Sequence, residues 1–206
     1  MSRVVIQGNA SGTGDFTIAA PNSNTDRTLT LPDEAGTVLT SASDVASSQL
    51  PAGSVLQVVS TEKSDQFTTT STTFVDITGM SATITPTSSS SKILIIFSVG
   101  LVGNSTAGQF VYLKVNRNPS GLVSIGDQAS ARARVSAGNG GTQPYSNSSL
   151  TITNLDSPST TSAVTYNIQM RSQSAGTAKF NSRGDDADST AYGRSSASLT
   201  LMEIAG

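Results

Sequence analysis

Neither cysteine nor histidine occurs in the 206-residue sequence, and tryptophan is missing as well. Without cysteine no disulfide can staple the chain, so stability has to come from packing or assembly. The same two absences exclude Ser-His-Asp and Cys-His catalysis and remove the usual zinc ligands. Charged residues make up 13% of the chain, against roughly 25% in an average globular protein. The formal net charge is −2, and no stretch concentrates lysine and arginine to neutralise phosphates, so nucleic acid is not an expected partner. The longest apolar run, Ile93 to Gly103, falls short of the roughly 20 residues of a membrane-spanning helix and reads as a buried strand. The opening "MSRVVIQGNASG" lacks the continuous apolar segment of a secretory signal. The expectation is a protein made in the cytoplasm, without membrane insertion.

Ser, Thr, Gly, Asn and Ala fill the space left by charged and aromatic residues. They occur in segments that alternate apolar and polar positions, whereas helical 3.6-residue spacing is nearly absent. Before Thr40 the segments "RVVIQ", "DFTIA", "RTLTL" and "TVLT" read as short strands joined by Gly-, Asn-, Pro- and Asp-rich turns. Residues 1–40 hold too few large apolar side chains for an independent monomeric core. "SASDVASSQLPAG", residues 41–53, reads as a linker, or as a short helix begun by Ser43 or Asp44.

Beyond Ser54 the strands lengthen. "SVLQVVST", "TTFVDITG", "SATIT", "KILIIFSVGL", "QFVYLKVNR", "GLVSIG", "ARARVSA", "SLTITNL", "AVTYNIQMR" and "SASLTLMEI" follow one another. In "QFVYLKVNR", Val111, Leu113 and Val115 face one side and Phe110, Tyr112 and Lys114 the other. "ARARVSA", read as a strand, places Arg132 and Arg134 on one face, and "AVTYNIQMR" sets Val164, Tyr166, Ile168 and Met170 against Thr165, Asn167, Gln169 and Arg171. Many strands separated by turn-rich loops predict an all-β sandwich or barrel over residues 54–206. Two features imply an oligomer. "KILIIFSV" is apolar on both faces, as in a strand buried on both sides. Other strands set an apolar face against a neutral polar one, which can pair across subunits without burying unpaired charge.

Candidate chemistry is sparse. "GDDAD" presents Asp185, Asp186 and Asp188, but not at the spacing of a calcium-binding EF-hand loop, and reads as a solvated acidic loop. "RGD" at Arg183 to Asp185 matches an integrin-binding tripeptide with nothing else to support it. Gly8, Gly12 and Gly14 precede a strand rather than a helix, so they are turn glycines, not a phosphate loop. Asn104 and Asn147 match the glycosylation sequon and read as ordinary loop residues. No metal or cofactor is expected. The segments 137–149 and 172–194 look most exposed, and binding residues concentrate on such loops. Tyr145, Phe180, Arg183 and Tyr192 either contact sugar or protein there, or pack locally.

The stretch "GTGDFTIAAPNSNTDRTLTLPDEAGTVLT" resembles the leading segment of tailed-phage fiber and appendage proteins, through Leu29, Thr30, Leu31, Pro32, Gly36, Thr37, Val38, Leu39 and Thr40. The segment from Gly53 to Gly100 is similar to domains of marine phage virion proteins, especially cyanophage ones, at Phe74–Ile77, Ile84–Pro86 and Ser91–Ile95. The two regions cover about the first half of the chain. The resemblance implies a homotrimeric virion protein with a jelly-roll-like distal domain similar to the C1q and tumour-necrosis-factor folds. Residues 1–40 would then be the attachment and trimerisation region, with Leu29, Leu31, Val38 and Leu39 as one third of a shared core. Partners implied are other virion proteins and, at the distal domain, a host-surface glycan or protein. The alternatives are a capsid decoration or head-fiber protein, and a glycan-depolymerising tailspike in which two carboxylates suffice for catalysis.

Overall fold

The computed structural model describes residues 11–14, 17, 22–26, 28, 30, 45–119, 121–140 and 147–206. The chain divides into two compact units, Met1–Ala42 and Ser43–Gly206. Leu29, Leu31, Val38 and Leu39 of the expected attachment core lie outside the described residues, as does Tyr145.

The second unit is all-β. Within the expected linker, one 3-10 turn spans Ser47–Gln49, and the Gln49 side chain accepts the Ala46 amide at 2.9 Å. From Gly53 the chain is tied to its own C-terminus: Gly53 N–H donates to the Ala205 carbonyl and Ala205 N–H to the Ser54 carbonyl, both at 2.8 Å. The strands are β1 (Val55–Lys63), β2 (Phe67–Thr69), β3 (Val75–Ile84), β4 (Lys92–Asn104), β5 (Val111–Asn118), β6 (Leu122–Val123), β7 (Ala137–Asn139), β8 (Asn147–Asp156), β9 (Val164–Ser172), β10 (Ala178–Phe180) and β11 (Ala197–Ile204).

They form two antiparallel sheets packed as a β-sandwich. The six-stranded sheet runs β1-β11-β4-β10-β2, with β8 on the other side of β4. β11 pairs with Lys92–Val99 of β4 and β10 with Val102–Asn104, so β10 and β11 share one lane. The five-stranded sheet runs β3-β9-β5-β6, with β7 also on β5. Successive strands alternate between the sheets, apart from β1 and β2, β5 to β7, and β10 and β11, each of which groups stays in one sheet. The faces that meet carry the expected alternation: Ile93, Ile95, Phe97 and Val99 of β4, Val111, Leu113 and Val115 of β5, Val164, Tyr166, Ile168 and Met170 of β9, and Leu199 and Leu201 of β11 are all buried.

Three readings of the sequence need correction. "TTFVDITG" and "SATIT" are one strand, β3, whose register shifts between Asp76 and Ser81. Gly79, at φ +84°, turns the backbone there without ending the strand. "ARARVSA" is turn and loop up to its last residue, Ala137, because no neighbouring strand pairs with residues 131–135. Neither sequon asparagine is a loop residue: Asn147 begins β8, and Asn104 ends β4, is buried, and donates its amide to the Ser172 hydroxyl at 2.9 Å. The apolar run of β4 has one face in the core, while Leu94 and Ile96 lie half-buried on the outer face.

Candidate functional site

Of the loop candidates, Phe180 is a core residue. It lies in β10, where its neighbour Lys179 points away from the core, so Phe180 is fully buried and stacks on Phe97 with ring centroids 6.3 Å apart. Arg183 and Tyr192 are brought together: the guanidinium carbon lies 4.5 Å from the Tyr192 ring centroid. Arg183 Nε also donates to Asp185 at 3.2 Å, so the RGD side chains engage each other. Asp186 accepts Gln66 Nε2 at 2.8 Å and pairs with Arg194 at 3.0 Å and Lys179 at 4.0 Å. The expected solvated acidic loop is therefore an ion-paired one at Asp185 and Asp186. Burial works against ionisation of Asp185, yet loop amides, Tyr192 and Arg183 hold its carboxyl below the usual range. Among the described residues no group of three or more carboxylates is placed to hold a metal ion.

Two surfaces of the sandwich stand out instead. The first is the outer face of the six-stranded sheet. Register aligns Val58, Met202, Leu94 and Leu155 as one row across β1, β11, β4 and β8. Val58 is 56% exposed and Leu155 50%. The next row is Ser60, Thr200, Ile96 and Thr153, with the Ser60 and Thr200 hydroxyls 3.0 Å apart. Charge appears on this face at the margins, as Glu62 in β1 and Lys92 at the start of β4.

The second surface is the outer face of the five-stranded sheet. Tyr112 of β5 sits opposite Arg171 of β9. The Arg171 guanidinium lies 4.9 Å from the Tyr112 centroid and 5.4 Å from that of Phe74, and Lys114 Nζ lies 4.1 Å from the same Phe74 centroid. Cations over aromatic faces at these distances are attracted by the ring quadrupole. Arg171 Nη1 donates to the Thr72 carbonyl at 2.8 Å, while its Nε is buried without a partner. The 131–134 loop closes one side, and a recess of about 440 Å³ is lined by Tyr112, Ala131, Arg132, Ala133, Arg171 and Gln173. Phe110 stacks on Tyr112 at 5.9 Å. Both rings lie over glycines: a Cβ on Gly138 would come within 3.0 Å of Tyr112, and one on Gly140 would collide with Phe110.

Burial, then the charges of Arg171 and Arg134, push the Lys114 ammonium below the usual lysine range. Elsewhere, apart from Lys92, the cations of the sandwich are matched: Lys63 with Asp65, Arg117 with Asp156, Lys179 and Arg194 with Asp186, Arg183 with Asp185. Lys114, Arg132, Arg134 and Arg171 have no carboxylate within ion-pair distance among the described residues. Asp76, the carboxylate on this sheet face, accepts the Asn167 and Gln169 amides instead. The sequence shows the outward positions of Tyr112, Lys114 and Arg171 and the spacing of Arg132 and Arg134, but only the pairing of β5 with β9 and the fold of the 131–134 loop unite them.

These features define a two-sheet antiparallel β-sandwich with one apolar and one cationic-aromatic outer face. No protein-family model and no curated protein matches the sequence. Among solved structures, a chain from the structure of the infectious bursal disease virus Gx strain is similar at 13% identity and a TM-score of 0.36, over 72% of this chain and 40% of that one. This chain thus spans less than half of that neighbour, and a likeness of that size carries no argument about function. Among the described residues no helix is long and apolar enough to cross a membrane.

Proposed function

We propose that this chain is a non-enzymatic structural protein of a tailed-phage virion, a short fiber or tail appendage. Residues 1–40 anchor it and the sandwich is presented as a homotrimer for host-surface or virion contacts. The observation that carries the assembly is the row Val58, Met202, Leu94 and Leu155 on a face of hydroxyl side chains. Interface cores are depleted in charge and rich in close-packed apolar area, and a contiguous exposed apolar strip on a soluble β-sheet calls for a partner. A copy of the same chain fits because the face is neutral, so stacking like faces buries no unpaired charge.

The strand order supports a jelly-roll reading. The lanes β1/β2, β11/β10, β4 and β8 and the lanes β3, β9, β5 and β6/β7 are consistent with a double Greek key of four strands against four. The engagement of Asp185 and Asp186 by cations supports a non-catalytic reading of that loop, since a glycosidase acid needs a raised pKa and Asp185 is held low. Quantitative mass spectrometry of purified phage particles tests the role. The expected result is the chain in the particle at a copy number that is a multiple of three, in the range of a tail appendage. Absence from particles overturns it.

A further inference from the structure

We infer that the outer face of the five-stranded sheet is a binding site for an anionic oligosaccharide, with Arg171, Lys114, Arg132 and Arg134 meeting its carboxylate or sulfate groups and Phe110, stacked on Tyr112, meeting a sugar ring. The inference rests on the reading of the sandwich as a surface-contact module and adds the class of ligand.

Charge distribution is the first ground. The chain carries 14 acidic and 12 basic residues, and five cations of the sandwich, Lys63, Arg117, Lys179, Arg183 and Arg194, lie against a carboxylate. Four that do not are gathered on one face, where they repel one another. Like charges set together cost stability in the free protein, and a bound anion relieves that cost. Burial first, and then the neighbouring charges of Arg171 and Arg134, depress the Lys114 ammonium.

Geometry is the second ground. Arg171 is clamped between the Tyr112 and Phe74 rings and by the Thr72 carbonyl, so its planar fork is pre-organised for a carboxylate or sulfate. Its Nε has no partner, although buried donors are ordinarily satisfied. The recess, about 440 Å³, falls within the roughly 300–1,000 Å³ of small-ligand sites.

The aromatic component decides between anions. Tyr112 and Phe110 are seated on Gly138 and Gly140, which sets their rings flat against the sheet. Phe110 is 40% exposed, and an exposed ring face with a negative quadrupole suits the C–H face of a sugar. A nucleic acid also offers anions and flat bases. However, a long polyanion extends beyond these four charges over a chain of net charge −2, and past a Debye length of about 8–10 Å it gains nothing from them.

Isothermal titration calorimetry on the full chain tests this. The probes are tetragalacturonate, a sulfated tetrasaccharide, neutral maltotetraose and a single-stranded oligodeoxynucleotide of matched charge. The expected result is binding of one or both acidic sugars, weakening with added salt, with no measurable binding of maltotetraose. The carboxylated and sulfated probes show which anion is preferred. Arg132→Gln/Arg134→Gln, on an exposed loop, and Lys114→Gln should each weaken binding about tenfold or more. Arg194→Gln, which removes the same single charge as Lys114→Gln but outside the group, should not. Lys114→Gln should also raise the melting temperature of the free protein, which a purely structural lysine would not do on removal.

Binding of neither acidic sugar, equal binding of maltotetraose, indifference to the Arg132/Arg134 change, or tighter binding of the oligonucleotide would each overturn the inference. Light scattering on the same samples separates it from the assembly reading. A monomer that binds acidic sugar sinks the trimer alone; a trimer that does not sinks this site alone.

Discussion

Glu203 is fully buried at the end of β11. It accepts the Gln57 side-chain amide at 2.6 Å and both the backbone and hydroxyl of Thr87 at 2.7 Å. Burial alone would raise its pKa. The donors from Gln57 and Thr87 outweigh it, and the carboxyl is held below its usual 4.5. A carboxylate with a depressed folded pKa contributes stability that is present above the unfolded value and is lost as pH falls through the folded one. Glu203→Gln, which turns an amide donor toward these donors, should cost about 1–3 kcal/mol at pH 7. It should also flatten the fall in stability below about pH 4.5; urea titrations between pH 3 and pH 7 check both. None of this is legible in the sequence, where Glu203 is one polar residue in "SASLTLMEI". Phe180 shows the converse limit. In a Gly- and Ser-rich stretch it looks like a loop aromatic, because three residues, Ala178 to Phe180, are too few to display a strand's period.

At the level of elements, the long strands are legible because one buried face imposes a period of two over eight or more residues. β5 and β9 follow their sequence pattern residue by residue, apart from Asn167, which is buried at the sheet face beside Asp76 and Asn116. β2, β7 and β10 escape such reading, because each is three residues long and is defined by its neighbours rather than by its own pattern. β3 is misread for a different reason: Gly79 looks like a terminator, yet it sits in a register shift inside the strand. Its positive φ is a conformation that a side chain resists. Gly79→Ala should therefore destabilise the sandwich by about 1 kcal/mol or more, seen as a lower urea midpoint at unchanged slope. The candidate cationic site was half legible. Its outward residues follow from alternation, but Tyr112 meets Arg171 only through the β5–β9 register.

For the whole molecule, the apolar row on the six-stranded sheet ties the fold to the proposed role. "KILIIFSV" is double-faced in the sequence because one face fills the sandwich, while Leu94 belongs to the row outside it and Ile96 to the next row. Val58→Asp/Leu155→Asp changes two side chains that are at least half exposed, so it should leave the sandwich folded by circular dichroism. Charges set in an apolar interface core should nonetheless prevent assembly. The most direct test is sedimentation equilibrium of the full chain at micromolar concentration, run beside this double variant. The expected result is a species of three times the chain mass for the natural sequence and of one chain mass for the variant. A natural chain that sediments as a monomer, or a variant that remains trimeric, would contradict assembly through this face.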